Sequence, residues 1–275
     1  MLVSRVAKYL LSRGRKYGLK AIAKIQKLKA TSQLELLNLW LSRGSSSRVL
    51  IVLDACRFDY FINEASSLLA RGKLTKAWSP ASCTIDWLKI CFPGFYKHVR
   101  VISAHPYLNS KGITTLGYRA VNHFLRHNII DVWDWGWDEN LKTVPPSTVY
   151  KAFKEQDDGE MKTIIWFVQP HGPWIGKTKL LVSKRLAGKR PADAEILEKV
   201  RKGAITVSHL REAYRDNLRL VLEYVDKIVK ETEGGVIITS DHGEMLGEYR
   251  LFLHPCRIEC KILRLVPWLE LQGRE

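Results

Sequence analysis

Four short apolar segments constrain the fold of this chain more than any other feature of its sequence. They are rich in β-branched residues, lack strict alternation, and cover residues 49–53, Val99–Ser103, 163–168 and Gly235–Thr239. Such segments are typical of a parallel sheet that is buried on both faces. Helices are predicted between the strands, over residues 58–70, 85–90, 117–127, 146–154 and 209–230. This alternation favours a single α/β domain with right-handed crossovers.

Positive charge is concentrated in two parts of the chain. The formal net charge is +16, yet residues 1–48 hold 11 basic residues against one acidic, and residues 175–203 hold nine against three. We therefore predict a basic helical arm over residues 1–47 and a neutral body over residues 48–275 that carries a basic insertion at 175–203. The arm could contact an anionic membrane surface, the phosphates of a nucleic acid, or the body itself. The oligomeric state is left open.

The cysteines give an expectation about the compartment. There are five, Cys56, Cys83, Cys91, Cys256 and Cys260, and none forms a CxxC pair. Scattered cysteines in a chain of this size predict mostly reduced thiols and no disulfide framework. The sequence shows neither a run of about 18 apolar residues nor a secretory signal. We therefore expect a cytoplasmic protein, either free or attached peripherally to the inner face of the membrane.

Ionisable residues follow three of the four predicted strands. Asp54 comes directly after the first, His171 comes shortly after the third, and Asp241 and His242 come after the fourth. Sites in open parallel sheets form beyond the carboxyl ends of the strands, so these side chains converge if the strands are neighbours. Carboxylates and imidazoles together suit a divalent metal such as Mn²⁺ or Zn²⁺. Taken alone, Asp54 could instead be a turn or helix-capping residue.

The same stretches resemble the motifs of a known family. They read Asp54-Ala-Cys-Arg57-Phe-Asp59, Pro-His171-Gly-Pro-Trp174, Thr-Ser-Asp241-His242-Gly-Glu-Met-Leu-Gly-Glu248 and His254-Pro255. In this order they resemble the alkaline phosphatase superfamily, and within it the sulfatase-like branch that includes phosphoglycerol transferases. The resemblance covers roughly residues 48–270. It implies a three-layer α/β sandwich in which a mostly parallel central sheet carries helices on both faces.

The resemblance also implies a metal site and a nucleophile. Carried over residue by residue, the metal ligands are Asp54, Asp241 and His242, together with the nucleophile. We predict Thr84 as the nucleophile because it opens a predicted helix, whose first N–H groups can hold a phosphate. Ser82 and Cys83 remain alternatives. The formylglycine motif of classical sulfatases, Cys/Ser-x-Pro-x-Arg, fits none of these residues.

Other residues receive secondary roles. His171 is predicted to hold the substrate anion or to protonate the leaving group, and His254 and Arg57 are candidates for a second metal or for the substrate. Arg57 could equally pair with Asp59 or another carboxylate. We predict one bound divalent metal (Mn, Zn, Mg or Ca) and leave a second open. The remaining histidines His105, His123 and His127 are predicted to be surface or packing residues.

The sequence therefore predicts a metal-dependent hydrolase or transferase that acts on phosphate esters, phosphodiesters or phosphomonoesters, through a threonine nucleophile. Its substrate would be anionic and phosphorylated. One alternative is a sulfuric ester hydrolase with a sulfated substrate. The other is a basic membrane- or nucleic-acid-binding protein with a degenerate phosphatase-like body.

Overall fold

The computed structural model describes residues 29–42, 46–181 and 194–274. The strands are β1 (Thr31–Ser32), β2 (Ser47–Leu53), β3 (Gly72–Trp78), β4 (Val99–Ser103), β5 (Ile129–Asp131), β6 (Lys162–Phe167), β7 (Gly235–Thr239), β8 (Met245–Leu246), β9 (Phe252–Leu253) and β10 (Leu265–Gln272). The helices are α1 (Gln33–Leu41), α2 (Phe58–Glu64), α3 (Ser66–Leu69), α4 (Thr84–Cys91), α5 (Val132–Trp135), α6 (Pro146–Gln156), α7 (Ala194–Arg201), α8 (Val207–Glu231) and α9 (Lys261–Arg264).

Most of the strands form one central sheet. Across the described residues its strand order is β1-β3-β10-β7-β2-β6-β4-β5. Strand β2 lies between β6 and β7 and runs parallel to both, and β4 is parallel to β6 and β5. Only β10 is antiparallel to its neighbours β3 and β7. The carboxyl ends of β4, β6, β2 and β7 therefore lie side by side along one edge.

Both faces of the sheet are buried, as the central strand β2 shows. Val49, Ile51 and Leu53 belong to an apolar cluster with residues of α6 and α8. Leu50 and Val52 belong to a second cluster with residues of α1 and α4. Alternate side chains of a strand point to opposite faces, so the helices cover the sheet from both sides. The predicted three-layer α/β sandwich is confirmed.

The predicted elements are mostly confirmed, with one clear error. Strands β4 and β7 have the predicted bounds, and β2 and β6 differ from the predictions by one or two residues. The predicted helix over residues 117–127 is wrong, because this stretch contains only short 3₁₀ helices at Ala120–Asn122 and Arg126–Asn128. It starts in a turn, where Leu116 and Gly117 both have positive φ angles.

Part of the predicted N-terminal arm packs against the sheet. Leu37 and Trp40 of α1 are buried, and Gln33 Nε2 donates to Thr239 Oγ1 and Ser240 O, at 2.8 and 2.7 Å, at the end of β7. Residues 1–28 lie outside the described residues, and so do 182–193 of the basic insertion. The domain division at residue 47 stays a prediction. No helix in the described ranges is long and apolar enough to cross a bilayer.

The expectation of mostly reduced thiols did not include one disulfide that the structure contains. Cys83, immediately before α4, is bonded to Cys256, which lies 173 residues later in the chain. The described cysteines Cys56, Cys91 and Cys260 are free and buried. The sequence interpretation failed because the bond joins two loops that only the folded sheet brings together, and no local spacing marks the pair.

Candidate active site

The predicted strand-end residues meet at one edge of the sheet. Asp54 follows β2, His171 follows β6, and Asp241 and His242 follow β7, the strands on either side of β2. The loops are joined directly, since His171 N donates to Asp54 O at 3.2 Å and Asp241 Oδ1 accepts from Ala55 N at 3.0 Å. The parallel order of β6, β2 and β7 thus gathers side chains that are far apart in sequence.

Asp54, Asp241 and His242 form a compact group of potential metal ligands. One ligand atom from each lies within 4.8 Å of the other two, and all three residues are buried. His242 Nδ1 lies 2.9 Å from Gly243 O. A carbonyl only accepts, so Nδ1 carries a proton and donates, which leaves the Nε2 lone pair facing the group. This is the tautomer that a metal-binding histidine needs.

The charged forms of Asp241 and His242 are buried and support each other. Burial alone would raise the pKa of Asp241, but His242 outweighs it and holds that pKa below its ordinary value. Conversely, burial opposes the charged form of His242, whose pKa is nevertheless raised by Asp241. Buried charges of this kind are costly unless they are paired or coordinate a metal. Two carboxylates and an imidazole are a donor set that fits Zn²⁺ or Mn²⁺.

A second group of potential ligands adjoins the first. His171, Glu244 and His254 place one ligand atom each within 4.8 Å of one another. The Nε2 atoms of His171 and His254 are 2.9 Å apart, and the ring of His254 lies 4.2 Å from the ring of His242. Burial first, and then His242, lower the pKa of His254 well below its usual value. His254 is therefore neutral at physiological pH, which is the form that binds metals.

The three candidate nucleophiles have different surroundings. Thr84 is the first residue of α4, and its Oγ1 lies 3.1 Å from His242 Nε2. Ser82 Oγ donates to Pro255 O at 2.7 Å and accepts from Ile258 N at 3.0 Å. The sulfur of Cys83 is bonded to Cys256. The structure brings the hydroxyl of Thr84 to the first group, whereas the other two side chains fasten neighbouring loops.

Arg57 adopts the second of its two predicted arrangements. Its guanidinium binds Asp59 through two hydrogen bonds, at 2.9 and 2.6 Å, and donates to Glu248 Oε1 at 2.6 Å. A guanidinium held by two carboxylates has few donors left for a substrate anion. Its geometry is that of a brace between the loop after β2 and the loop that follows Glu244.

Two site residues received no role from the sequence. His105 Nε2 lies 3.6 Å from Asp54 Oδ2, although the sequence placed His105 among surface or packing residues. Burial lowers the pKa of His105 to about 3, so the contact joins a neutral imidazole to a carboxylate. Glu244 Oε2 lies 3.7 Å from His171 Nε2. The signal for both was present, because His105 follows the second predicted strand, which is β4, and Glu244 belongs to the Asp-His-Gly-Glu run.

Helix α8 holds two of the site loops in place. The Tyr214 hydroxyl donates to Ala55 O at 2.7 Å and accepts from Arg57 N at 2.9 Å. One turn later, Asn217 Nδ2 donates to the carbonyls of Pro170 and His171 at 3.2 and 3.1 Å. Both side chains are fully buried. Residues three apart lie on the same face of a helix, so a single face positions the Asp54 and His171 loops.

Comparison with known proteins was made by sequence and by structure. No protein-family model and no curated protein matches the chain. Among solved structures, the soluble domain of lipooligosaccharide phosphoethanolamine transferase A from Neisseria meningitidis is similar over 85% of this chain and 79% of that one, with 16% identity and a TM-score of 0.57. The C-terminal periplasmic domain of EcEptC from Escherichia coli (84% and 74% covered, 14% identity) and a putative sulfatase from Bacteroides thetaiotaomicron (83% and 64%, 13% identity) each give a TM-score of 0.50.

The predicted cytoplasmic location, peripheral to the inner membrane face, is wrong. The EcEptC neighbour is a periplasmic domain, which contradicts the cytoplasmic reading. The Cys83–Cys256 disulfide agrees with this correction, because disulfides persist in oxidising compartments and are rare in the cytosol. The prediction had relied on the scattered cysteines, whose pairing the sequence did not reveal.

The arrangement of the site loops on the sheet and the similar solved structures indicate the same fold. The mostly parallel sheet carries its ionisable residues at the carboxyl ends of β2, β6 and β7, and neighbours with this fold include transferases of phosphoethanolamine and a putative sulfatase. Identity to these neighbours is 13–16%, so the likeness describes the fold. The chain has the fold of the sulfatase-like and phosphoglycerol transferase-like branch of the alkaline phosphatase superfamily.

Proposed function

We propose that this chain is a metal-dependent enzyme that transfers or hydrolyses phosphate esters, with Thr84 as its nucleophile. The observation that carries the proposal is the position of Thr84 Oγ1, 3.1 Å from His242 Nε2 and beside the ligand group of Asp54 and Asp241. A hydroxyl is a weak nucleophile unless its pKa is lowered or a base removes its proton. The side chain of Thr84 is buried among the groups that could provide such activation.

Asp54, Asp241 and His242 would hold one divalent cation, with Thr84 Oγ1 as a further oxygen donor. A cation bound there lowers the pKa of a coordinated hydroxyl and offsets the negative charge that develops on phosphate oxygens. The choice among Zn, Mn, Mg and Ca is left to experiment. The mixed carboxylate and imidazole donors favour Zn²⁺ or Mn²⁺ over Ca²⁺, which prefers an all-oxygen shell.

The protein groups around Thr84 suit an anionic phosphate. The first N–H groups of α4 have no partner within the helix, because the Trp87 N–H makes the first bond of this turn, to Cys83 O. We propose that they bind the phosphate oxygens when Oγ1 attacks phosphorus. In that step a new Oγ1–P bond forms as the bond from phosphorus to the leaving oxygen breaks. The proton that Oγ1 loses in this step would pass to a base or to solvent. Water or an acceptor alcohol would then attack the phosphorus, break the Oγ1–P bond, take the phosphoryl group and return the Thr84 hydroxyl to its starting form.

His171 and His254 would act on the opposite side of the phosphate. Their paired Nε2 atoms, with Glu244, could hold a second cation or orient the substrate anion. If His171 is protonated in the complex, its Nε2–H could donate a proton to the leaving oxygen. The proposal therefore needs one cation, at the group of Asp54, Asp241 and His242. The group of His171, Glu244 and His254 would bind either a second cation or the substrate itself.

The test is hydrolysis of bis(p-nitrophenyl) phosphate and p-nitrophenyl phosphate after metal removal and reloading with Zn²⁺, Mn²⁺, Mg²⁺ or Ca²⁺. We expect Thr84→Ala to lower kcat/KM by about a thousandfold, or about 4 kcal/mol of barrier, and Thr84→Ser to keep part of the activity. Mass spectrometry of a quenched reaction should find phosphate on the peptide that contains Thr84. Full activity of Thr84→Ala would refute the nucleophile.

Ser82→Ala is the matched control. Ser82 is two residues from Thr84 and equally buried, but its hydroxyl is used by Pro255 O and Ile258 N. We expect this variant to lose stability and to retain the covalent intermediate. If Ser82→Ala abolishes the phosphorylated peptide while Thr84→Ala preserves it, the two assignments must be exchanged.

Two alternatives have less support. Sulfate ester hydrolysis of the formylglycine type would need a free Cys or Ser in its own motif, and the sulfur of Cys83 is in a disulfide. A degenerate body that only binds membranes or nucleic acid would not need the complete donor set of Asp54, Asp241 and His242. If the purified protein contains stoichiometric metal and Asp241→Asn does not, the result favours the enzyme over a degenerate binding protein. The same proposal places the catalytic domain outside the cytoplasm, in agreement with its disulfide.

A further inference from the structure

One long stretch of the body carries positive charge without any acidic residue. Residues 87–130 contain six basic residues and no Asp or Glu. Arg100 is paired with Asp158, and Lys111 with Asp134. The other four cations, which are exposed and make no ion pair with a carboxylate in the described ranges, are Lys89, Lys97, Arg119 and Arg126. Outside the basic insertion the body is close to neutral in sum, but this part of its surface is positive.

Large apolar side chains are exposed within the same stretch. Leu116 is 69% exposed, Phe95 55%, Ile113 48% and Ile90 40%. They are half of the large apolar side chains that are exposed in the described part of the chain. Isolated exposed apolar residues are ordinary, whereas several of them among unpaired cations mark an interaction surface.

Direct contacts join the segments that carry these side chains. Lys89 Nζ donates to Leu116 O at 2.5 Å, which ties the last turn of α4 to the loop after β4. His123 Nδ1 lies 3.0 Å from Gly94 O, and its ring stacks on Tyr118. We name the resulting surface the 89–119 face, defined by Ile90, Phe95, Ile113 and Leu116 with Lys89, Lys97 and Arg119.

We propose that the 89–119 face docks the folded body on an anionic lipid surface. Exposed apolar side chains can enter the boundary between headgroups and acyl chains, while lysine and arginine contact the anionic headgroups. A nucleic acid would use the cations but would leave Ile113 and Leu116 in water, so the apolar side chains favour the lipid. This inference is separate from the proposed catalysis, because docking is measured without turnover.

The 89–119 face and Thr84 are connected by one helix, α4. Thr84 begins α4, and Ile90 lies in the last turn of the same helix, about 9 Å along its axis. A body docked through the 89–119 face would hold its candidate active site within a helix length of the lipid headgroups.

The experiment is co-sedimentation of the full chain with vesicles of phosphatidylcholine alone or mixed with phosphatidylglycerol. We expect binding to the anionic vesicles, with the double variant Ile90→Ser/Leu116→Ser weakening it by about tenfold. The control is Ile62→Ser, because Ile62 and Ile90 are both 40% exposed. Ile62 lies on α2, whose Phe61 packs in the cluster on the opposite side of the sheet, and its variant should bind as the wild type does. Every variant keeps the same N-terminal residues, so the ratios of binding report the face.

A second pair of variants tests the charges. Lys97→Gln should weaken binding about fivefold at low salt and Lys151→Gln should not, although both remove one exposed lysine. Circular dichroism and thermal unfolding should show that all variants stay folded. The proposal is overturned if Ile90→Ser/Leu116→Ser binds vesicles as tightly as Ile62→Ser, or if Lys97→Gln weakens binding to duplex DNA and leaves vesicle binding unchanged.

Discussion

The Cys83–Cys256 disulfide makes a prediction whose size follows from the chain topology. The two cysteines are 173 residues apart, and their Cα atoms are 5.0 Å apart, within the usual range for a disulfide. Closing a loop of that length removes enough entropy from the unfolded chain to stabilise the folded state by about 5 kcal/mol. A typical domain has only about 5–15 kcal/mol in total. The disulfide therefore accounts for a large share of the stability.

The perturbation is the double variant Cys83→Ala/Cys256→Ala. We expect its free energy of unfolding to fall by about 3–5 kcal/mol in urea, and we expect dithiothreitol to lower that of the wild type by a similar amount. Cys83 is also the N-cap of α4 and makes no capping bond there. Cys83→Ser/Cys256→Ala should therefore recover about 1 kcal/mol, because serine can cap the helix.

Reductant supplies the discriminating control, since it should act on the wild type and leave both double variants unchanged. Mass spectrometry of peptides from the non-reduced protein should show the 83–256 link directly. The reasoning is refuted if the non-reduced wild type contains the link and yet has the same free energy of unfolding with and without dithiothreitol. It is also refuted if the non-reduced protein contains two free thiols at these positions.

Three further predictions concern positioning, charge and metal. Asn217→Ala should lower the free energy of unfolding in urea by about 2–4 kcal/mol, because the buried carbonyls that Asn217 binds lose their donor. Asn217→Asp should be nearly as unstable near neutral pH and should regain stability as the pH falls and its buried carboxyl is protonated. Wild-type stability in either variant would contradict the role of Asn217. Hydrogen bonds from Lys230 and Arg71 outweigh burial and hold the pKa of Asp226 below its ordinary value. Arg71→Gln should therefore cost less than about 1 kcal/mol near neutral pH, and this cost should shrink as the pH falls through that lowered pKa and the carboxyl is protonated; a cost that grows on acidification would refute the pair. After chelation, Asp54→Asn should be at least as stable as the wild type, because one buried charge is gone. A metal at a hundred times its Kd should stabilise the wild type by about 2.7 kcal/mol, and Asp54→Asn should lose this gain. If thermal shift shows an equal gain in both proteins, Asp54 is excluded as a ligand.

The sequence predicted the strands whose side chains are uniformly apolar and failed on the others. Strands β2, β4, β6 and β7 are buried on both faces, which leaves a continuous apolar run in the sequence. Strand β10 contains Pro267, and β3 contains Lys73 and Lys76, residues that argue against a strand in a sequence. The antiparallel pairing of β10 with β3 satisfies the backbone of both strands and overrides those local preferences.

Most of the proposed site could be read from residues that directly follow a strand. The sequence could not show that β6, β2 and β7 are neighbours, so the meeting of Asp54, His171 and Asp241 was conditional on a sheet order that the structure provides. His105 was overlooked because none of the motifs that carry the family resemblance includes it, although it lies as close to the end of β4 as Asp241 does to the end of β7. Asn217 was overlooked because its role is to bind backbone carbonyls, and nothing in a helix sequence indicates which loop lies against it.

The net charge of the body does not describe the charge of each part of its surface. Several acidic residues of the body are buried or are paired with cations elsewhere in the fold. Asp54, Asp241 and Glu244 are buried in the candidate site, and Glu64 is bound to arginines of α8. Their charges are compensated locally, whereas the cations between residues 87 and 130 have no acidic residue in the same stretch. A chain that is neutral in its body can therefore present one strongly positive face, and that face begins on the helix that Thr84 opens.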